Sequence, residues 1–184
     1  MTFGERVVGA LKLDANAFED IERDPTAMGQ AVGVIALAAL AGSLGQIWRL
    51  GFGAMLIGVI TSLIGYAVWA VVVWLVGTKL MPDPATKADF PETFRVIAFA
   101  AAPGFLGAVS IIPFLGWLLM FLVLPIVWLW SMAAMVVAVK AVLDYTEMFK
   151  AVIVVIIGFV AYLVFVGTMA MMSFGAALLG GAMR

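Results

Sequence analysis

The side chains that could do chemistry in this sequence are carboxylates and hydroxyls, because histidine and cysteine are both absent. Without them, zinc, copper or haem iron would have only carboxylate or methionine ligands, an unfavourable set. Disulfides and thiol catalysis are excluded by the same count. Asp144 and Glu147 flank Tyr145, but a solvated loop accounts for them. No nucleophile stands beside a base, so we expect no catalytic residue, no cofactor and no metal site.

The densest group of ionisable residues is a short acidic segment, FEDIERDP, at positions 18–25. These side chains could contact a protein partner, or they could simply be solvated beside a membrane. The loop from Lys79 to Glu92, with three prolines, offers a second exposed surface of the same kind. The candidate partner-contact residues are Glu19, Asp20, Glu22, Arg23, Asp24 and Pro25.

The composition determines which elements must position these residues. Of the 184 residues, 66% are hydrophobic and 11% are charged, whereas a soluble domain carries roughly a quarter charged residues. So little polar surface cannot cover so much apolar material in water, and the bilayer is the expected solvent. The net charge of −1 offers nucleic acid no basic surface, so we expect no nucleic-acid partner.

The spacing of the charges predicts five transmembrane helices, because about 20 apolar residues cross a bilayer core roughly 30 Å thick. The uncharged stretch from Val96 to Val139 has room for two spans, and Pro113 lacks the N–H needed to continue a helix. We therefore predict a hairpin there. The predicted fold is an all-α polytopic transmembrane helical bundle. Residues 1–24 form a short amphipathic segment, and residues 25–184 form the membrane domain with spans near 26–48, 51–77, 94–111, 115–139 and 151–179.

Local signals mark where several of these helices begin. Asp24 followed by Pro25 is typical of an N-cap and a first helical position, and Asp89 with Pro91 repeats the pattern before the third span. Near the N-terminus, Asn16 with Glu19 three residues later resembles a capping box.

The first 24 residues contain no apolar run of signal-peptide type. Phe3, Val7, Ala10 and Leu11 fall on one helical face, and Phe18 and Ile21 follow in a second short turn. An amphipathic helix lying on the membrane surface and a loosely ordered tail both fit this pattern.

Inside the spans we expect no ionised side chain, which argues against proton pumping and ion transport. Pro103 with Gly104, and Pro125, should kink the third and fourth spans and could border a cavity. The deeper tryptophans, at positions 69, 128 and 130, are expected to pack between helices.

Pairs of small residues four apart allow helix backbones to approach closely. These contacts could lie within one chain, or they could join two copies through the first span as a homo-oligomer. The pairs are Gly29/Gly33, Ala38/Gly42, Ala41/Gly45, Ala100/Gly104 and Ala176/Gly180.

The distribution of lysine and arginine predicts the orientation in the membrane. With five spans, eight of these residues fall on one side and only Arg49 and Arg184 on the other. The N-terminus, the loop 78–94 and the loop 140–150 are therefore expected in the cytoplasm, with the C-terminus across the membrane.

The order of these features resembles that of the YIP family, five-span membrane proteins that interact with Rab-type GTPases. The resemblance rests on FEDIERDP before an Ala/Gly-rich first span, PETFRVIAFAAAP at the third, and VLDYTEMFKA after the fourth. It covers roughly residues 10–180. It implies a five-helix membrane domain with a cytoplasmic N-terminus, in agreement with the charge count.

Eukaryotic members of that family carry an Asp-x-x-Gly-Pro type motif before the first span. The matching place here is Asp20 to Pro25, with Asp24 in the glycine position and the spacing one residue different. The long cytosolic domain of those members has no counterpart here. The cysteine-free, Ala/Gly-rich composition is similar to that of a bacterial-type member, which implies an inner-membrane location, a periplasmic C-terminus and no Rab partner.

Two functions remain open at this point. The first is a non-enzymatic membrane scaffold or adaptor, with a protein partner at the cytoplasmic face. The second is a small channel or transporter for lipid or a neutral solute, with a cavity at the proline-kinked helices. A continuous polar cavity at membrane depth would favour transport, whereas a dry, packed bundle would favour the scaffold.

Overall fold

The computed structural model describes the backbone of residues 1–44, 47–112 and 115–182, and their side chains except at 47–50, 111, 115–120 and 173–182. Seven α-helices lie in these ranges: α1 Phe3–Leu11, α2 Ala15–Arg23, α3 Met28–Ser43, α4 Ile47–Leu75, α5 Phe90–Phe99, α6 Leu115–Val142 and α7 Met148–Ala182. Three further helical segments join them: a 3-10 turn Pro25–Ala27, a π-helical end of α4 at Val76–Leu80, and a 3-10 helix Ala102–Ile111.

Five stretches of the described chain are long and apolar enough to cross a membrane. This confirms the all-α fold with five spans; the predicted turn at Pro113 lies outside the described residues. Many large apolar side chains on α4, α6 and α7 are exposed, as lipid-facing residues should be. The five stretches are Pro25–Ser43, Gly51–Leu80, Phe90–Ser110, Phe121–Val142 and Met148–Met172.

The N-terminal residues form a tight pair of helices, so the alternative of a loosely ordered tail is wrong. Leu13, with φ of 60°, closes α1 in a Schellman arrangement in which the N–H of Asp14 donates to the carbonyl of Gly9 at 2.9 Å. The two helices then approach so closely that a Cβ on Gly9 would lie 2.3 Å from that of Ala17. Ala10, Phe18 and Ile21 are fully buried.

The predicted capping box at Asn16 is wrong. Asp14 is the N-cap of α2, and its carboxylate accepts a hydrogen bond from the backbone N–H of Asn16 at 3.0 Å. The physical reason is the sharp turn at Leu13, which starts α2 two residues earlier than the Asn16 pattern indicates. The other two caps are confirmed: Asp24 caps the turn that Pro25 opens, and Asp89 forms a capping box at α5.

The third span is the most buried element of the bundle. Every side chain from Thr93 to Pro103 is buried, and α1, α2, α3, α4 and α6 all contact α5. The helix then tightens to 3-10 at Ala102, beside Pro103. Because a 3-10 helix rises about 2.0 Å per residue, α5 and this segment together reach about 35 Å, enough to cross the hydrocarbon core.

The small residues of α3 pack against that 3-10 segment. A Cβ on Gly104 would lie 3.0 Å from the Cβ of Ala38, and one on Gly107 would lie 2.8 Å from the Cα of Gly42. The Ala38/Gly42 pair therefore serves a contact within the chain. At Gly29 and Gly33 an added Cβ would meet nothing within 4 Å, and homo-oligomer formation there stays a prediction. Gly45 and the side chains of Ala176 and Gly180 lie outside the described residues.

Candidate functional site

Arg6 organises the acidic segment. Its side chain is only 3% exposed, and its guanidinium donates to Asp20 at 2.8 Å, to Asp24 at 2.6 Å and to the amide oxygen of Gln30 at 3.0 Å. One arginine thus joins α1 to α2, to the cap of the first span and to α3. Two of the predicted partner-contact carboxylates, Asp20 and Asp24, are bound within the chain.

The hydrogen bonds around Arg6 favour the charged forms of both carboxylates. The bond from Arg6 lowers the pKa of Asp20, and bonds from Thr26 and then Arg6 lower the pKa of Asp24 to about 2. Carboxylates with lowered pKa values stabilise the fold at pH values above their ordinary pKa. Their contribution is lost as the pH falls from about 4 through the lowered values.

Arg95 holds the other end of α2. Its guanidinium lies 5% exposed in α5 and donates to the carbonyls of Ile21 at 3.3 Å and Glu22 at 2.5 Å. Those carbonyls belong to the last turn of α2, where no backbone N–H of the helix is available to donate to them. The expectation that no ionised side chain lies inside the spans is therefore wrong for Arg95. Helix-end carbonyls rather than water solvate its charge.

Trp130 fixes the turn between the two N-terminal helices. Its indole N–H, on α6, donates to the carbonyl of Leu11 at the end of α1 at 2.9 Å. Phe3, at the start of α1, packs edge-on against Phe99 with ring centroids 6.2 Å apart. The N-terminal pair is consequently anchored to the bundle at both ends of α1 as well as through Arg6.

The proline-containing loop is tied to the connection between α6 and α7. Asp83 is 7% exposed and accepts hydrogen bonds from Lys150 and from both the backbone and hydroxyl groups of Thr146. The bond from Lys150 is the largest cause of the lowered pKa of Asp83. The hydroxyls of Tyr145 and Thr86 add bonds between the same two segments. We call the end of the bundle formed by α1, α2, residues 81–89 and residues 143–147 the charged end.

The remaining residues of the acidic segment face outward. Arg23 is 76% exposed at its side chain and pairs with Glu19 at 2.9 Å, one helical turn away. Pro25 is exposed. Beside Glu19 an open cleft of about 530 Å³ separates α2 from the end of α6, and Lys140 and Asp144 line its far wall.

Glu22 is the one acid of the segment that is both partly buried and without an arginine partner for its carboxylate. Burial raises its pKa to about 7, and the nearby carboxylates of Asp144 and Glu92 add to the effect. Arg95 donates to the backbone carbonyl of Glu22 and not to its carboxylate. This side chain therefore changes charge near neutral pH, within the charged end.

We predict that Glu22→Gln stabilises the protein at pH 8 and leaves it nearly unchanged at pH 5. A raised pKa means that the folded state holds the proton more tightly than the unfolded chain, so stability falls as the pH rises from about 4.5 to 7. The neutral amide removes that loss, worth about 1–2 kcal/mol after allowance for solvent screening. Thermal unfolding in detergent between pH 5 and 8 measures it. Equal gains at pH 5 and pH 8 for Glu22→Gln would contradict the prediction.

The proline positions lie in two different surroundings. Pro103 is buried, and Gly104 packs against Ala38, so the first pair stands in a close helix contact. Pro125 is exposed inside α6. Its neighbours Leu124 and Val127 line a cavity of about 370 Å³ between α4, α6 and α7.

The tryptophans predicted to pack between helices divide in the same way. Trp69 is 3% exposed, which confirms the expectation, but Trp128 is half exposed, so the expectation is wrong there. Trp128 lies at the mouth of the cavity, edge-on to Phe159 at 5.8 Å.

Sequence reasoning missed the two buried arginines, and it had one usable signal for each. Arg6 shares a helical face with Gly9 and Ala10, where a lone cation stands among small residues. Asp20 and Asp24 are four residues apart and so face the same side as each other. Arg95 follows the cap of α5 by six residues, which is already inside the span.

The comparison with protein families agrees with this architecture. A family model described as Yip1 domain matches residues 10–168. No curated protein and no solved structure matches the chain. The match covers most of the sequence, including α2, the loop of the charged end, the first four spans and most of the fifth. The chain belongs to the Yip1 domain family.

Proposed function

We propose that this multi-pass membrane protein is a non-enzymatic scaffold or adaptor that acts through its cytoplasmic face, the charged end. The observation that carries the proposal is the anchored N-terminal pair. Arg6, Arg95 and Trp130 hold it on the bundle, and Glu19 and Arg23 remain outside beside an open cleft. A preorganised surface loses little freedom when a partner binds.

The contacts divide the six candidate residues into two roles. Asp20 and Asp24 hold the surface in shape through Arg6. Glu19, Glu22, Arg23 and Pro25 are left to meet the partner, with residues 79–92 alongside. The excess of lysine and arginine in the connections of this end supports a cytoplasmic location, and a bacterial inner membrane fits the composition.

The test compares two sets of charge-neutralising substitutions in native membranes of the source organism. We expect Glu19→Gln, Glu22→Gln and Arg23→Gln together to reduce a chemically crosslinked partner at least tenfold, with the thermal midpoint unchanged or raised. A photo-crosslinker placed at Arg23 should capture the same partner, whereas one at the lipid-facing Met171 should not. The double variant Asp20→Asn with Asp24→Asn is the comparison for loss of structure. Because both carboxylates pair with Arg6, it should lower the thermal midpoint, which the triple variant should not.

Full retention of the partner by the triple variant would overturn the docking role. A reporter fused after α7 and active only in the cytoplasm would overturn the assigned orientation.

The second candidate, transport, has one observation in its favour, the cavity beside Pro125. Its lining is mostly aromatic and aliphatic, and Ser131 is the single non-aromatic polar residue among the described residues that form it. Such a lining suits lipid rather than a hydrated solute. Flux of a small neutral solute into vesicles carrying the purified protein, abolished by Ser131→Phe, would favour a channel over the scaffold.

A further inference from the structure

The cavity between α4, α6 and α7 lies near the middle of the second, fourth and fifth spans. Along the helix axes its five aromatic residues are about 16–21 Å from the helix ends at the charged end, and half the hydrocarbon core is about 15 Å. Its volume of about 370 Å³ falls in the range of small-molecule sites. Five aromatic side chains contribute to its walls: Tyr66, Trp69, Trp128, Phe159 and Tyr162.

The walls of this cavity are built by a reciprocal contact of rings on glycines. A Cβ on Gly158 of α7 would lie 2.3 Å from the indole of Trp69, and one on Gly65 of α4 would lie 2.7 Å from the ring of Tyr162. Each ring thus rests on the opposite helix where a side chain would clash. The rings of Trp69 and Tyr162 then meet at 5.4 Å. The cavity borders a close helix contact and is not a gap left by loose packing.

Polar groups in the lining lack partners. The Nε1–H of Trp69 is fully buried and donates to no other described residue. The hydroxyls of Tyr66, Tyr162 and Ser131 likewise form no hydrogen bond within the described part of the chain. In hydrocarbon no water satisfies such groups, and each unpaired one is costly. A molecule that brings oxygen acceptors into the cavity removes part of that cost.

We propose that this cavity binds a neutral membrane lipid, with its apolar chains against the aromatic rings and its ester or hydroxyl oxygens bonded to Tyr66 and Tyr162. A charged headgroup is excluded because an ionised group is expensive at this depth. Leu124, Trp128 and Leu163 are half exposed at the mouth, so the site opens sideways to the bilayer. This site goes beyond the scaffold function and stands without it.

The test uses the full chain in phosphatidylcholine vesicles with a diacylglycerol that carries a diazirine in one acyl chain. We expect saturable photolabelling of the α6 and α7 residues of the cavity, competed by unlabelled diacylglycerol. Tyr66→Phe with Tyr162→Phe keeps both rings and removes both hydroxyls, and should weaken the apparent affinity about tenfold. Val164→Phe, on the lipid-facing side of α7, is the matched control and should change nothing.

A phosphatidylcholine with the same diazirine chain separates the site from ordinary lipid contact. It should label lipid-facing positions without saturation. Ser131→Phe, which fills the cavity from α6, is a second variant and should abolish the saturable labelling by diacylglycerol. Equal saturable labelling by the two lipids, or unchanged labelling in Ser131→Phe, would overturn the proposal.

Discussion

Arg6→Met is expected to lower the free energy of unfolding by about 3 kcal/mol. Removing one partner of a buried ion pair typically costs 3–5 kcal/mol, because the other charge stays behind unpaired. Asp20 and Asp24 each retain 31% side-chain exposure, which places the effect at the lower end. For a chain of this size the thermal midpoint should fall by about 6–12 °C in detergent.

Arg23→Met is the matched control, since Arg23 is 76% exposed and makes one ion pair on the surface. Its cost should not exceed about 0.5 kcal/mol. Adding Asp20→Asn and Asp24→Asn to Arg6→Met should recover part of the loss, because the uncompensated carboxylates are then gone. Equal effects of Arg6→Met and Arg23→Met would mean that Arg6 does not hold the N-terminal helices.

Gly107→Val should be equally damaging, at about 3 kcal/mol, with Gly107→Ala at about 1–2 kcal/mol. A Cβ there would lie 2.8 Å from the Cα and 2.9 Å from the N of Gly42. Both are backbone atoms, which cannot rotate aside, so α3 and the 3-10 segment must separate. The thermal midpoint in detergent and the fraction of monodisperse protein measure the damage.

Gly58→Val supplies the control for this change, because nothing lies within 4 Å of a Cβ at Gly58. It should change the free energy of unfolding by no more than about 1 kcal/mol. If Gly107→Val instead altered only the oligomeric state, the small residues of the first span would serve a contact between copies rather than within one.

The spans and two of the three predicted caps could be read from the sequence because they depend on local chemistry. Apolar length determines a crossing, and Asp24 with Pro25 needs only its own neighbours to start a helix. The failed cap at Asn16 shows the limit of such reasoning. Leu13 closes α1 with a positive φ, a conformation that a leucine rarely adopts and that nothing in its own type announces.

The arginine contacts could not be read because they are separated along the chain. Arg95 meets the carbonyls of Ile21 and Glu22 more than 70 residues away. Charged residues that the sequence places at the water-exposed ends of helices, such as Arg6 and Arg95, are therefore buried. Of the candidate docking residues, those paired with Arg6 stabilise the surface, and the others are exposed or, like Glu22, poised to change charge.

The burial of α5 also has a consequence for biogenesis. The third span has a mean hydropathy of 1.4, against 2.3–2.7 for the second, fourth and fifth, and it carries Arg95. If such a helix faced lipid on all sides, its free energy of insertion from the translocon into the bilayer would be unfavourable compared with that of the other three spans. Its stable insertion requires α2 to cover the arginine and α6, synthesised later, to enclose it. The third span is thus expected to reach its final surroundings only after the fourth span has been made.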